Sequence, residues 1–219
     1  MYKFNNNIKV AMCEKDLVIL DTINDTYSII NDIEINSLNK FLKGIYNSEL
    51  QLLLDENLLF KSNSGYDQVV QQKLIGFFEQ RWITPTVSSN AKIYKIKFEI
   101  LIEILKINSK LQKLDFESIG RALSSVTTNK SICKNKELLM KIIISNLNNL
   151  FILDISDNKC LAYSFILSKI LKTYGINAKL LIGVRTRPFF SHAWVEVDDK
   201  VISDVQLEKD NLAIILEYL

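Results

Sequence analysis

A helix that is apolar on every side can be stable only inside something, and residues 159–174 read as such a helix. Leu161, Phe165, Ile166, Leu167, Ile170 and Leu171 cover far more than one face. Asp157 and Asn158 stand in front of it as N-caps, and Gly175 stands behind it as the natural left-handed residue. Lys169 and Lys172 fall in the last turns, where cations suit the helix dipole. The remaining chain must therefore wrap this helix. At 219 residues, 48% hydrophobic and 24% charged, it holds enough material for one large domain or two small ones.

Cys160 lies in the first turn of that helix. The unpaired N–H groups and positive dipole end there favour a thiolate, which is the nucleophilic form of cysteine, and can also hold an oxyanion. The bland alternative is a small buried hydrophobe, which is the reading taken for Cys13 and Cys133. Two strands follow. Ala178 to Arg185 is the first, and Thr186 to Phe190, with Pro188, turns the chain into Ser191–Val197. Alternation places His192, Trp194 and Glu196 on one face and Ala193, Val195 and Val197 on the other. His192 is the single histidine of the chain, so any cysteine–histidine chemistry passes through it. Ser191 points to the opposite face and is a poor nucleophile candidate.

Asp204 follows on Val201–Val205, and register decides whether it meets His192. A plain two-residue turn at Asp198-Asp199 would set Asp204 opposite Ala193, on the wrong face. An odd loop or a bulge at the Val197–Val201 corner would flip it, and would group Val201 and Val205 with the core face. The expectation is therefore a bulged or odd-looped corner. A nucleophile at a helix start, a base on a following strand and a carboxylate on the next is the order of papain-like and transglutaminase-like sites.

Composition excludes several other classes. A net charge of +2 gives no support to nucleic-acid binding. Three cysteines without close pairing are not a disulfide framework, and with one histidine they argue against structural zinc or any other metal. No signal peptide opens the chain, and no apolar run spans a bilayer, so the expected location is the cytoplasm.

The first 30 residues contain three strand candidates, Ile8–Met12, Leu17–Asp21 and Thr26–Ile30, with a turn at Asn24-Asp25. Asn31 and Asp32 are candidate caps for a helix carrying Leu38, Phe41, Leu42 and Ile45, and a short helix over Glu49–Asp55 precedes an extended Leu58–Phe60. The polar break Lys61–Gly65 ends a first domain, residues 1–62. A connector over 63–90 is expected to carry a helix from Asp67 to Trp82, with Val69, Val70, Leu74, Phe77 and Phe78 as its apolar positions, then a break at Pro85 and Ser88–Asn90. The second domain covers 91–219. In it Ile93–Leu114 reads as a core-facing helix through Phe98, Leu101, Ile102 and Leu105, in preference to a membrane-surface helix. Glu117–Ser125 and Lys136–Leu150 read as two more.

Lys159–Ser164, Gly175–Ala178, Leu181–Arg185, Ser191–Val197 and Val201–Asp204 together resemble the lasso-peptide maturation B proteins, leader peptidases of the transglutaminase-like cysteine peptidases. Asp16–Asp21 and Asp25–Asn31 resemble that family's precursor-recognition element. The resemblance implies an α+β chain: a small winged-helix-like recognition domain fused to a papain/transglutaminase-like cysteine peptidase domain. It implies Cys160 as nucleophile, His192 as general base and acid, and Asp204 as the orienting carboxylate. It implies that a lasso precursor adds its leader as a strand beside Thr26, Tyr27, Ser28, Ile29 and Ile30, and that the leader is cut from the core before macrolactam formation. No cofactor of its own is implied; ATP is used by a partner lasso cyclase, with a coupled requirement left open. Two other readings are a non-catalytic precursor-binding scaffold and a transglutaminase-type acyl transferase. Arg185 and Arg187 read either as contacts to substrate or partner or as solvated arginines beside a turn, and Trp194 as a wall of the cleft or packing beneath it.

Overall fold

The computed structural model describes residues 1–75, 82–87, 93–128, 135–205 and 210–219. Helices and sheets are both present, and contacts divide the chain into two units. The first comprises Met1–Phe77 with Gly183–Ser191 and Asp210–Leu216; the second comprises Phe78–Ile182, His192–Lys209 and Glu217–Leu219.

In the first unit β1 (Tyr2–Phe4) is followed by an antiparallel meander of β2 (Ile8–Cys13), β3 (Asp16–Asp21) and β4 (Thr26–Ile30). All three strand candidates of the meander are present, extended by one residue at Cys13 and one at Asp16. β3 is central, and Leu17 to Leu20 are buried on both faces, as a central strand requires. β4 is the sheet's edge strand. Helices α1 (Ile35–Leu42) and α2 (Leu52–Asp55) bury Leu38, Phe41, Leu42 and Leu53 in the core with Met12, Leu17 and Ile19. Strand β5 (Leu59–Lys61) pairs with β1.

Three expectations change here. The α1 N-cap position is Glu34, because Asp32 adopts the left-handed conformation and the chain turns first. Ile45 lies beyond the helix and is exposed. Most clearly, Asp67–Ile75 is not helical. Gln71–Gln72 forms β6, a parallel partner of β2. The side chain of Asn39 donates to the Val69 carbonyl at 2.9 Å and accepts the Val69 N–H at 3.0 Å. Both backbone groups of that residue are thereby satisfied in an extended chain, and tertiary pairing overrides the local apolar spacing. Phe77, Phe78, Ser88–Asn90 and Cys133 lie outside the described residues.

Arg187 is not merely solvated. It donates through Nε and Nη2 to Asp16 at 2.9 and 2.8 Å, and through Nη2 to Asp32 at 2.9 Å. These bonds from Arg187 lead the effects that hold the buried Asp16 carboxyl down at about 2. A depressed carboxylate contributes stability above its ordinary value near pH 4 and loses it as pH falls toward the folded value. Thermal unfolding of wild type and Asp16→Asn should therefore show a clear wild-type advantage at about pH 6 that fades by about pH 2. A difference independent of pH would show that the ion pair is not its source.

The second unit is built around the all-round apolar helix. That helix, α6 (Lys159–Thr173), packs against α3 (Tyr94–Asn108), α4 (Phe116–Ser124) and α5 (Lys136–Leu150), and nearly all of Leu161 to Leu171 is buried. Asp115, Asn135 and Asn158 cap α4, α5 and α6 by accepting N–H bonds from Ser118, Leu138 and Leu161. Gly175 closes α6 at φ 78°, with its N–H bonded to the Lys172 carbonyl. In α3 the buried stripe is Ile96, Ile100, Glu103, Ile104 and Ile107, whereas Phe98 is 61% exposed and Leu105 55% exposed. The helix carries two competing apolar stripes, and packing against α5 and α6 selects the one that contains an acid. Glu103 is neutralised there by Lys169 at 2.7 Å and Lys106 at 2.8 Å.

After α6 come β7 (Ala178–Arg185), β8 (Phe190–Val197), the short β9 (Lys200–Val201) and β10 (Ala213–Tyr218), forming a sheet of order β10-β7-β8-β9. Among the described residues no helix is long and apolar enough to cross a membrane.

Candidate active site

Cys160 begins α6 and is half-buried. The Asn158 carboxamide that caps the helix is 3.3 Å from the Leu161 N and 3.3 Å from the Cys160 Sγ. One turn on, the Ser164 hydroxyl donates to the Ala193 carbonyl at 3.0 Å, which fixes α6 against β8 beside His192. His192 and Asp204 are both buried, and His192 Nε2 lies 3.1 Å from Asp204 Oδ2. With Nε2 engaged by the carboxylate, Nδ1 is the nitrogen left to face the thiol. Trp194 stacks with the imidazole at 6.4 Å and donates to Glu196 at 3.0 Å. It is fully buried, so it packs beneath the site and does not wall a cleft.

The corner that brings Asp204 to His192 is not the expected one. Val197 pairs with Lys200 and Glu196 with Val201, so the turn is a regular two-residue hairpin. Asp198 and Asp199 both take positive φ, 51° and 58°, as the tight hairpin turn requires. Neither an odd loop nor a bulge exists there. The face changes later. Ile202 still donates to the Val195 carbonyl at 2.9 Å, but the answering N–H of Val195 goes to the Ser203 hydroxyl at 2.8 Å. A side-chain oxygen replaces the backbone acceptor, the strand leaves the ladder, and Asp204 swings onto the His192 side. Val205 is then 59% exposed, not core-facing as expected. Trp82 Nε1 holds the freed Ser203 carbonyl at 3.3 Å. Ser203 was invisible to strand alternation; its only signal is a small hydroxyl residue just before the carboxylate.

Removing that hydroxyl leaves a buried N–H unpaired, so Ser203→Ala is expected to lower stability by about 1–3 kcal/mol. It should also loosen Asp204. Denaturant unfolding measures the first effect, and a slower reaction of Cys160 with iodoacetamide measures the second. A stable variant with unchanged Cys160 reactivity would show that Ser203 does not set the register exit.

The electrostatics of the three groups are mutually consistent. Burial pushes the Cys160 thiol up, but the hydrogen bond and charge of His192, with the backbone N–H groups of Ala193 and Leu161, more than reverse it. Burial pushes His192 down, and its hydrogen bonds to Asp204 and Cys160 lift it to about 9. Each charge thus favours the other: the thiolate is favoured below the ordinary thiol range, and His192 holds its proton up to about pH 9. Cys13 is the contrast. Burial, then the charges of Asp16 and Glu14, push its thiol up to about 12, and its Sγ donates to the Val184 carbonyl at 3.5 Å. In the native protein iodoacetamide should label Cys160 at a pH below that needed for an ordinary thiol and leave Cys13 unmodified. Peptide mapping that finds Cys160 to need the same pH as an ordinary thiol would remove the ion pair.

Cys160, His192 and Asp204 are thus brought together within the second unit. Thr26, Tyr27, Ser28, Ile29 and Ile30 are elsewhere, on the edge strand β4 of the first unit. There the Tyr27 hydroxyl is 3.0 Å from the Ser191 hydroxyl, and its ring packs on Phe189 at 5.2 Å.

A helix-borne thiol set against an imidazole on a following strand and a carboxylate just beyond the next is an arrangement of transglutaminase-like proteins, and the model of the transglutaminase-like superfamily matches residues 116–217. The chain is also 35% identical over 207 residues to the microcin J25-processing protein McjB of Escherichia coli, spanning 93% of this chain and 95% of that one. It belongs to the lasso-peptide maturation B proteins. No solved structure matches it.

Proposed function

We propose that this chain is a cysteine peptidase that binds a lasso precursor by its leader and cleaves the leader from the core. The observation that carries the reading is the buried His192 imidazole, 3.1 Å from the buried Asp204 carboxylate and beside the Cys160 thiol in the first turn of α6. The Cys160 thiolate attacks the carbonyl carbon of the scissile bond, and the N–H groups at the start of α6 are placed to receive the oxyanion. His192 gives its proton to the leaving core amine, and an acyl-enzyme remains on Cys160. His192 then takes a proton from water, whose oxygen displaces the thiolate and frees the leader as an acid. Asp204 keeps the ring oriented through both steps.

The first unit supplies recognition in this reading. The meander is taken as a winged-helix-like precursor-recognition element. The leader adds as a strand on the outer side of β4, along Thr26 to Ile30, so that main-chain bonds give affinity and side chains give selectivity. Support comes from the edge position of β4 and the near full-length similarity to a protein named for processing microcin J25. The chain needs no cofactor of its own, and ATP is consumed by a partner cyclase that receives the freed core.

Incubation with lasso precursors, with and without cyclase and ATP, and mass spectrometry of the products test the reading. Hydrolysis leaves a free leader acid, and an isopeptide adduct would make the chain an acyl transferase. Intact precursor in every arm would leave only the scaffold role.

A further inference from the structure

The triad leaves one neighbouring feature without a role. A cleft of about 370 Å³ opens beside the first turn of α6. Trp82, Phe151 and Tyr163 form its aromatic sides, with ring centroids 5.1 to 6.0 Å apart. Asp154 and Lys159 form its polar end. Lys159 directly precedes Cys160, and Tyr163 follows it by one turn. Trp82 also bonds the carbonyl of Ser203, the residue before Asp204. Two of its lining residues thus lead to the candidate site: Lys159 is the chain neighbour of Cys160, and Trp82 is bonded to the chain neighbour of Asp204.

Asp154 is only 5% exposed. Its Oδ2 accepts from the Ser156 hydroxyl at 2.8 Å and from Lys159 Nζ at 2.9 Å. Its Oδ1 is buried and accepts nothing among the described residues. A carboxylate oxygen kept from water without a donor is unfavourable, and natural structures rarely leave one so. Lys159 already balances the charge, which makes a second cation a poor match. A neutral donor fits: a hydroxyl or a primary amide, with its carbon portion against the aromatic sides. The Lys159 side chain is half exposed and can yield to admit it.

We propose that Asp154 is a specificity-determining residue of a side-chain subsite, taking a hydroxyl or carboxamide from a precursor residue that flanks the cut. This rests on the reading of Cys160 as a peptidase nucleophile. The subsite selects by need. A substrate residue that lacks the donor leaves Oδ1 unpaired in the closed complex, and discrimination arises from that unpaired group.

Synthetic lasso precursors, the microcin J25 precursor among them, are incubated with the chain, cyclase and ATP, and the one that is cleaved is taken forward. Each hydroxyl or carboxamide residue within about four positions of the cut is then exchanged for a near-isostere without the donor: Thr for Val, Ser for Ala, Asn for Leu. At one position the exchange should lower kcat/KM by about 10- to 100-fold with the wild-type chain. With Asp154→Ala the same ratio should fall below about 3-fold, while iodoacetamide still labels Cys160. Where alanine leaves Cys160 unreactive, Asp154→Ser, which keeps a hydroxyl for Lys159, takes its place. A ratio that survives in a reactive variant overturns the subsite, and so does the absence of any discriminating position; Asp154 then carries only internal water. Two unreactive variants would show that Asp154 acts through folding, which also overturns it. Failure of every precursor to be cleaved is a different result and counts against the peptidase reading itself.

Discussion

Cys160→Ala is expected to reduce precursor cleavage by on the order of 10⁵- to 10⁶-fold, to the background of the assay. The size of the effect follows from the chemistry. Without a thiolate there is no acyl-enzyme, and His192 and Asp204 have nothing to activate but a poorly placed water. The variant should fold normally, because Cys160 is half-buried and alanine is a good helix former. It should also bind precursor as tightly as the wild type, since the proposed leader contacts lie on β4 in the other unit. Calorimetric titration with precursor and a time course by mass spectrometry separate the two functions. Precursor cut at an unchanged rate by the alanine variant would end the peptidase reading, and lost binding would show that recognition is not confined to the first unit.

Asp204→Ala should be nearly as damaging, on the order of 10³-fold or more in kcat/KM. Burial disfavours the imidazolium, and the Asp204 bond is the first of the effects that oppose it. Once that bond is gone, His192 falls toward its desolvated value and the thiol keeps its proton. The upper limb of the pH profile, set by His192 at about 9, should move down, and the lower limb, set by Cys160, should move up. Asp204→Asn discriminates between charge and orientation. An imidazolium carries N–H on both nitrogens, so a carboxamide oxygen can still accept from Nε2 and hold the ring. The loss should then be clearly smaller than in Asp204→Ala. Equal loss in both variants would assign the whole effect to charge. Full activity in both would take Asp204 out of the mechanism.

The legible parts of this chain are those whose chemistry is local. The meander strands, the caps at Asn158 and Gly175, the span of α5 and the burial of α6 depend on neighbours a few residues away, and sequence spacing reports these directly. The stretch 67–75 was illegible for the opposite reason. Its partners, Asn39 and the end of β2, lie some thirty residues or more upstream. In α3 local spacing offered two apolar stripes and gave no means of choosing, because the choice belongs to α5 and α6. Arg187 looked like an ordinary surface arginine because Asp16 and Asp32 are distant in sequence.

The corner before Asp204 marks the same boundary most sharply. Residue types and their order alone determine the buried helix with Cys160 at its head, the single imidazole on an alternating strand, and a carboxylate close behind it. They also determine that a regular turn would aim that carboxylate away. Only the tertiary structure decides that the turn is regular and the meeting occurs nonetheless, because Ser203 takes the Val195 N–H and releases the strand from its ladder. A ladder propagates register only while backbone pairs with backbone. A side chain that substitutes for one acceptor ends that propagation, and alternation beyond it no longer carries information about which face a residue will take.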